Sequence, residues 1–286
     1  MKRLLSRAVP DRCLRVVATG FCFLLFGLGG LAILCAVFPL LRLRYPDVRE
    51  SRRSARDIIH RSFAWFVRVM VACGTISYEV RNRERLARRG LLVVANHPSL
   101  IDVVLLVSLL RQPNCVVKAS LAANLFTRGP VRSAGFIVNT EGPRLVDDCI
   151  ASARAGDNLV IFPEGTRSPT HDGALCPMKR GAANIALRGN LALTPVVITV
   201  SEPMLGKGQR WYQAPRKRPH FILTVMDDIT VAENDNRTEG DEIRADARNR
   251  TARALTHDLG IFFSREIRHR VNGGAQNPRR SPTPRA

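Results

Sequence analysis

His97 and Asp102 stand five residues apart in the string Asn96-His97-Pro98-Ser99-Leu100-Ile101-Asp102, directly after an apolar run. A carboxylate held on one ring nitrogen of an imidazole fixes the tautomer, leaves the other nitrogen as proton acceptor and stabilises the imidazolium that forms. Such a pair can deprotonate a hydroxyl. On one regular helix residues five apart point about 140° away from each other, so His97 must sit just outside a helix that carries Asp102. Pro98 predicts this arrangement, because proline is favoured at the first helical position. No serine or cysteine is spaced with the pair to suggest a covalent intermediate, although Ser99 lies close. The chemistry expected is direct attack by an acceptor hydroxyl on a thioester, with His97 as general base and Asp102 orienting it.

A second string, Phe162-Pro163-Glu164-Gly165-Thr166-Arg167-Ser168, also follows an apolar run. Glu164, Gly165, Thr166 and Arg167 supply an acceptor, a residue that permits close backbone approach, a hydroxyl and a guanidinium within one turn. Arginine grips phosphate bidentately and glycine lets backbone amides reach an oxyanion, so a phosphate-bearing acceptor is the expected ligand. Lys179, in Met178-Lys179-Arg180-Gly181 at the start of the next expected helix, adds positive charge there, aided by the helix N-terminus. The plain alternatives are a capping histidine with an exposed aspartate, a strand-to-loop turn with a solvated charge pair, and an ordinary surface lysine. A six-residue match such as Phe-Pro-Glu-Gly-Thr-Arg arises by chance with probability on the order of 10⁻⁵, which favours the chemical reading of both strings together. No metal site is expected.

The elements that must position these residues follow from hydrophobic patterning. Leu91 to Ala95, Cys115 to Val117, Phe136 to Val138, Leu159 to Phe162, Leu193 to Val200 and Phe221 to Val225 read as strands. Helical patterns lie between them at Ile101 to Leu110, Ala119 to Phe126, Leu145 to Ala155 closed by Gly156, and Lys179 to Leu187 closed by Gly189. The class expected is α/β, a sheet of mostly parallel strands flanked by helices, with an N-terminal membrane-embedded helix. Sites in such folds lie beyond the carboxyl ends of strands, where both strings stand.

Residues 16–41 carry no charge. As a helix they span roughly 39 Å, enough to cross a hydrocarbon core of about 30 Å with some tilt. Arginines flank the segment on both sides, so charge does not fix its orientation, and a shallow insertion bent near Gly27, Gly29 and Gly30 is the alternative. From Arg56 to Val80 apolar residues including Ile59, Phe63, Phe66, Val67 and Met70 recur at helical spacing, which suits either an interfacial helix or a core helix. The net charge of +20 attracts polyanions, among them anionic lipid, coenzyme A phosphates, an acidic carrier protein and nucleic acid. No helix-turn-helix, zinc-finger or ribonucleoprotein signature supports nucleic acid. Seven scattered cysteines argue against a disulfide framework and favour a reducing location. The expected organisation is a basic N-terminus (1–15), a membrane helix (16–41), a basic linker and amphipathic helix (42–80), one catalytic domain (81–230), a helical segment (231–271) and a disordered basic tail (272–286). The basic loop from Met204 to Pro219, with Trp211 and Tyr212 among its cations, reads as a solvated loop or as a contact with a membrane interface or carrier protein.

Over roughly Leu91 to Val200 the chain resembles the glycerol-phosphate and lysophospholipid acyltransferase superfamily, whose best-known members are 1-acylglycerol-3-phosphate acyltransferases. His97 and Asp102 match the family's catalytic His-x4-Asp. Glu164, Gly165, Thr166 and Arg167 match its acceptor-phosphate motif, and Met178-Lys179-Arg180-Gly181 and Thr194-Pro195-Val196-Val197 look like its later blocks. The resemblance implies an O-acyltransferase at the cytoplasmic membrane with its catalytic domain facing the cytosol. It would use no cofactor, taking acyl-coenzyme A or an acyl-carrier protein as co-substrate and a lyso-lipid as acceptor. One departure concerns the residue after the strand Gly135-Phe136-Ile137-Val138, where the family often carries an arginine. Here Asn139 and Thr140 follow, and Arg144 is the nearest cation able to reach back. The missing arginine motivates an alternative, a non-catalytic lipid-binding or scaffold protein on the same fold; the intact His97 and Asp102 speak against it.

Overall fold

The computed structural model describes residues 2–123, 127–139, 143–168, 177–231 and 241–275. Helix α1 (Lys2–Ala32) runs through a π-helical turn (Ile33–Val37) into α2 (Phe38–Arg44). Within it, Cys13–Arg44 forms one apolar rod of 32 residues, long enough to cross a membrane. The π turn has a local cause. Pro39 has no N–H, and its ring would crowd the carbonyl four residues back, so the helix widens and Phe38 N–H bonds Ile33 O instead. Leu34, in that turn, lies so close over Gly129 that a Cβ there would come within 1.9 Å of its Cδ1. Glycine at 129 is what lets the rod rest on the domain.

Asp47 caps the next helix, α3 (Val48–Ala72), by accepting the N–H groups of Arg49 and Glu50 at 2.5 and 3.3 Å. Its Ala55, Ile59, Phe66, Val67 and Met70 are buried in the domain core. Of the two readings of this amphipathic stretch, the structure selects the core helix. The helix also ends earlier than the 56–80 periodicity predicts. Gly74 takes a φ of +70°, and Ser77–Arg81 forms strand β1. The sheet therefore begins four residues ahead of the domain boundary expected at 81.

After β1 come β2 (Leu92–Ala95), α4 (Ile101–Leu109), β3 (Pro113–Lys118), α5 (Ala119–Ala123), α6 (Arg128–Ser133), β4 (Ile137–Asn139), α7 (Pro143–Arg154), β5 (Asn158–Ile161), α8 (Gly181–Gly189), β6 (Leu193–Val200), β7 (His220–Val225) and α9 (Asp241–Ala275). The strands form one seven-stranded sheet in the order β1-β7-β6-β2-β5-β3-β4, parallel except for the antiparallel β6–β7 pair. This is the expected α/β sheet, enlarged by β1. Asn190, with a φ of +48°, closes α8 in place of Gly189, which is the last helical residue. Helix α6 was not expected, and Phe126, where the predicted α5 ends, lies outside the described residues, as does most of the 272–286 tail.

Side chains alternate across β2. Val93 and Ala95 join a core with α3 and α4, whereas Leu92 and Val94 join one with α8 and with Leu259 and Phe263 of α9. A buried ion pair fixes α3 to the sheet: Arg56 Nη1 lies 2.5 Å from Asp157 Oδ2, and Arg56 Nε donates to Ala134 O at 2.7 Å. Arg56→Met leaves the Asp157 carboxylate buried beside only the Ser152 hydroxyl. The expected cost is about 3–5 kcal/mol, a fall of roughly 10 °C in the thermal unfolding midpoint. Adding Asp157→Asn should return most of it; if the double substitution falls as far as the single, the pair is not the cause.

Candidate functional site

The register of the sheet explains why the two strings meet. β2 and β5 are parallel neighbours with Leu92 opposite Leu159 and Val94 opposite Ile161, so their carboxyl ends emerge side by side. His97 leaves one end and Phe162 the other. Their rings stack with centroids 4.2 Å apart at 26°.

Asn96 sets the exit from β2. Its side-chain amide donates to Ile198 O and its Oδ1 accepts Ile198 N–H, both at 2.7 Å, which continues the β2–β6 ladder through a side chain. Helix α4 then begins at Ile101, three residues later than Pro98 predicts. Pro98, Ser99 and Leu100 form a turn instead, held because Asp102 Oδ2 accepts Ser99 N–H at 2.7 Å and Ser99 Oγ accepts Ile101 N–H at 3.2 Å. That turn does what the first-position proline was expected to do. It keeps His97 outside the helix and brings its Nδ1 to 3.1 Å from Asp102 Oδ2. A carboxylate oxygen only accepts, so Nδ1 carries the proton and Nε2 is the acceptor.

Asp102 is wholly buried, and its Oδ1 has no hydrogen-bond partner among the described residues. Burial pushes its carboxyl from 3.8 up to about 6, against the opposing pull of the His97 and Ser99 N–H groups. His97 keeps 14% of its side chain exposed, so the pair has one buried end and one end open to a reactant.

At the second turn Gly165 adopts a φ of +64° and its N–H bonds Phe162 O at 3.0 Å. Glu164 faces inward. Its Oε1 accepts His97 N–H at 3.1 Å, and Ser168 Oγ lies 2.9 and 2.7 Å from its two oxygens. Ser168 N–H in turn bonds His97 O at 2.8 Å. The carboxylate expected at an acceptor phosphate therefore joins the two turns from beneath. Lys179 N–H bonds Pro163 O at 2.7 Å, and its side chain lies over Gly165, where a Cβ would stand 2.9 Å from Cε and 3.1 Å from Nζ. The lysine thus belongs to this turn, although it precedes α8 rather than starting it. Thr166 is half-buried in the same turn. Arg167 Nη1 donates to Leu205 O at 2.7 Å and Gly206 O at 3.0 Å, while Nη2 and Nε have no partner among the described residues.

The 201–219 loop, read from its aromatics and cations as solvated or as a membrane-interface or carrier-protein contact, also makes bonds to the site that its pattern did not indicate. Ser99 Oγ donates to Met204 O at 2.6 Å, and Leu100 N–H bonds Leu205 O at 3.2 Å. Further along, Trp211 rests on Gly20 of the apolar helix, 3.2 Å from where a Cβ would stand, and 6.3 Å from the ring of Phe23. One loop connects the histidine turn, Arg167 and the apolar helix. Thr140 lies outside the described residues; Arg144 is exposed in the first turn of α7 and makes no bond to either motif among them. No group of three or more His, Cys, Asp or Glu among the described residues is placed to hold a metal ion.

Residues 77–199 match a family model described as Acyltransferase. A putative 1-acyl-sn-glycerol-3-phosphate acyltransferase, acl-2, of Caenorhabditis elegans is 31% identical over 185 residues, 62% of this chain and 62% of that protein. The 1-acyl-sn-glycerol-3-phosphate acyltransferase of Saccharomyces cerevisiae is 29% identical over 147 residues, 47% of this chain and 46% of that protein. The chain thus spans about half to three fifths of the length of these relatives. The crystal structure of the 1-acyl-sn-glycerophosphate acyltransferase PlsC from Thermotoga maritima superimposes with a TM-score of 0.58 at 20% identity, covering 86% of this chain and 97% of that one. The fold is shared with that structure, and the resemblance carried by the two motifs extends over the sheet from β1 to β6.

Proposed function

We propose, with the acyltransferase match over residues 77–199 as premise, that this chain is a membrane-bound O-acyltransferase. It moves an acyl chain from a thioester donor, acyl-coenzyme A or acyl-carrier protein, to a hydroxyl of a lysophosphatidate-type acceptor. The observation that carries this reading is the His97–Asp102 pair, with Nδ1 held at 3.1 Å and part of the ring exposed beyond the end of β2.

Nε2 takes the acceptor's hydroxyl proton as the oxygen attacks the thioester carbonyl. The charge on Asp102 stabilises the imidazolium that results. Collapse of the tetrahedral intermediate breaks the carbon–sulfur bond, and the thiolate leaves with the proton returned from Nε2. The acceptor phosphate lies against Lys179, whose side chain the absent Cβ of Gly165 admits over the turn, and against the unbonded edge of Arg167. The Cys13–Arg44 helix rests on the domain at Gly20, Phe26 and Leu34, which favours the shallow insertion over a full crossing, and the loop that connects it to the histidine turn holds the reaction next to the bilayer supplying the lipid. The six cysteines among the described residues are free, which suits a cytosolic face.

The test is transfer by the detergent-purified chain, offering both donor classes to a panel of lyso-lipids. Wild type is expected to form product and His97→Ala to lose it by roughly 10³-fold or more with its unfolding midpoint retained. If wild type and His97→Ala are equally inert across the panel, the lipid-binding alternative replaces this reading.

A further inference from the structure

A cavity of about 330 Å³ opens where the apolar rod ends, between α2, the start of α3 and the last turn of α6. It shares no residue with the two catalytic turns. Arg42, Arg52 and Arg132 line it, no carboxylate does, and none of the three has an ion-pair or hydrogen-bond partner among the described residues. Unmatched arginines also occur singly elsewhere among the described residues of this basic chain, Arg83 and Arg89 among them; what sets these three apart is that they share one concavity. Three unmatched guanidinium groups around one concavity repel each other unless an anion enters.

The backbone is shaped for one of them. Gly135 turns with a φ of +62°, and a Cβ there would stand 2.7 Å from Arg52 Cδ and 2.8 Å from its Nε. The missing side chain lets the Arg52 stem lie across the turn that follows Arg132 and Ser133. The hydroxyls of Ser51, Ser133 and Tyr45 add neutral donors. Planar guanidinium groups with nearby hydroxyls are the donor set that holds a phosphate. Phe38 and Leu41 on the rod side supply an apolar wall. The volume is at the low end of small-ligand pockets, about 300–1,000 Å³, which suits a headgroup rather than a whole lipid.

We propose that Arg42, Arg52 and Arg132, with Ser51 and Ser133, form a second phosphate site that holds the headgroup of an anionic membrane lipid at the junction of rod and domain. A lipid is favoured over a free anion because the cavity stands at the end of the apolar helix, with its apolar wall, Phe38 and Leu41, continuing into that helix. The inference rests on the membrane-bound part of the proposed function and not on its chemistry.

The full chain in detergent micelles is titrated with phosphatidylglycerol and with phosphatidylcholine, and bound lipid is counted by native mass spectrometry. Phosphatidylglycerol should be retained in preference. Arg52→Gln/Arg132→Gln should weaken it by roughly tenfold or more, as expected for loss of two bidentate contacts. Arg83→Gln/Arg89→Gln removes the same charge from exposed positions elsewhere and should leave binding within about twofold. His97→Ala should bind as wild type does, so failure of the transfer assay leaves this result standing. Equal losses in the two double variants would reduce the effect to general surface charge and overturn the site. Equal retention of phosphatidylcholine would overturn it too, as would displacement of phosphatidylglycerol by inorganic phosphate at matching concentration, which marks a small-anion site. Release of the chain from membranes by alkaline carbonate would overturn the site together with the membrane reading.

Discussion

On the proposed mechanism Asp102→Asn should lower acyl transfer roughly a thousandfold at about pH 7.5 while leaving the thermal unfolding midpoint unchanged or higher. An asparagine oxygen in the place of Oδ2 keeps the Ser99 N–H bond and the His97 Nδ1 bond, so the ring stays where it is. What disappears is the charge that stabilises the imidazolium. The stability effect has the opposite sign. Burial raises this carboxyl from 3.8 to about 6, so the folded chain holds the proton more tightly than the unfolded chain. That contribution is fully present below the unfolded value and is lost as pH rises through about 6, so at neutral pH the wild type carries a buried, half-bonded carboxylate. Asparagine removes that cost. The pair is a competent base only with Asp102 ionised and His97 neutral, so the wild-type rate has an acid limb whose midpoint belongs to the coupled pair. A variant that stays folded and keeps activity near the wild-type level would remove Asp102 from the mechanism.

The sequence made the His97–Asp102 pair legible because five-residue spacing leaves few geometries in which a ring and a carboxylate meet. It misplaced the device that brings them together. Pro98 is a good first helical residue, yet Asp102 satisfies Ser99 N–H and so stabilises a turn ahead of its own helix. Local propensity lost to a side-chain bond whose partner lies inside the same motif. Strand β1 was missed for a different reason. Ser77-Tyr78-Glu79-Val80-Arg81 offers only two apolar residues in alternation, and the helical pattern upstream runs into them. It is an edge strand that pairs only with β7, so its half-exposed pattern carries little signal. The apolar face of α3 was visible but its partner was not, since lipid and protein ask for the same periodicity. The buried Arg56, matched by an aspartate 101 positions away, is what marks that face as protein. Interactions between distant segments were out of reach altogether. The Leu34 contact at Gly129, the seating of Trp211 on Gly20 and the Arg167 bonds to the 201–219 loop join segments whose proximity no local pattern encodes.

Glu164 is where the three-dimensional arrangement changes the expected experiment most. Read as part of an acceptor-phosphate motif, its replacement should raise the acceptor KM. The structure turns it inward, onto His97 N–H and Ser168, which makes it a positioning residue for the base. Glu164→Ala should therefore lower kcat roughly 10²-fold, the scale of a displacement near 1 Å at the reacting group, with acceptor KM little changed. Glu164→Gln keeps an oxygen for His97 N–H and an amide that Ser168 Oγ can accept from, so it should recover most of the rate. The two variants also differ from a purely structural lesion in their pH profile. The Glu164 carboxylate is one of the charges that hold Asp102 high, so replacing it with a neutral amide should move the acid limb to lower pH. Arg167→Ala and Lys179→Ala should behave the other way, raising acceptor KM with the acid limb in place. A rise in KM in Glu164→Gln with an unmoved limb would return the carboxylate to the acceptor side of the turn, and the connection between the two strand ends would then have to come from the Ser168 N–H bond to His97 O alone.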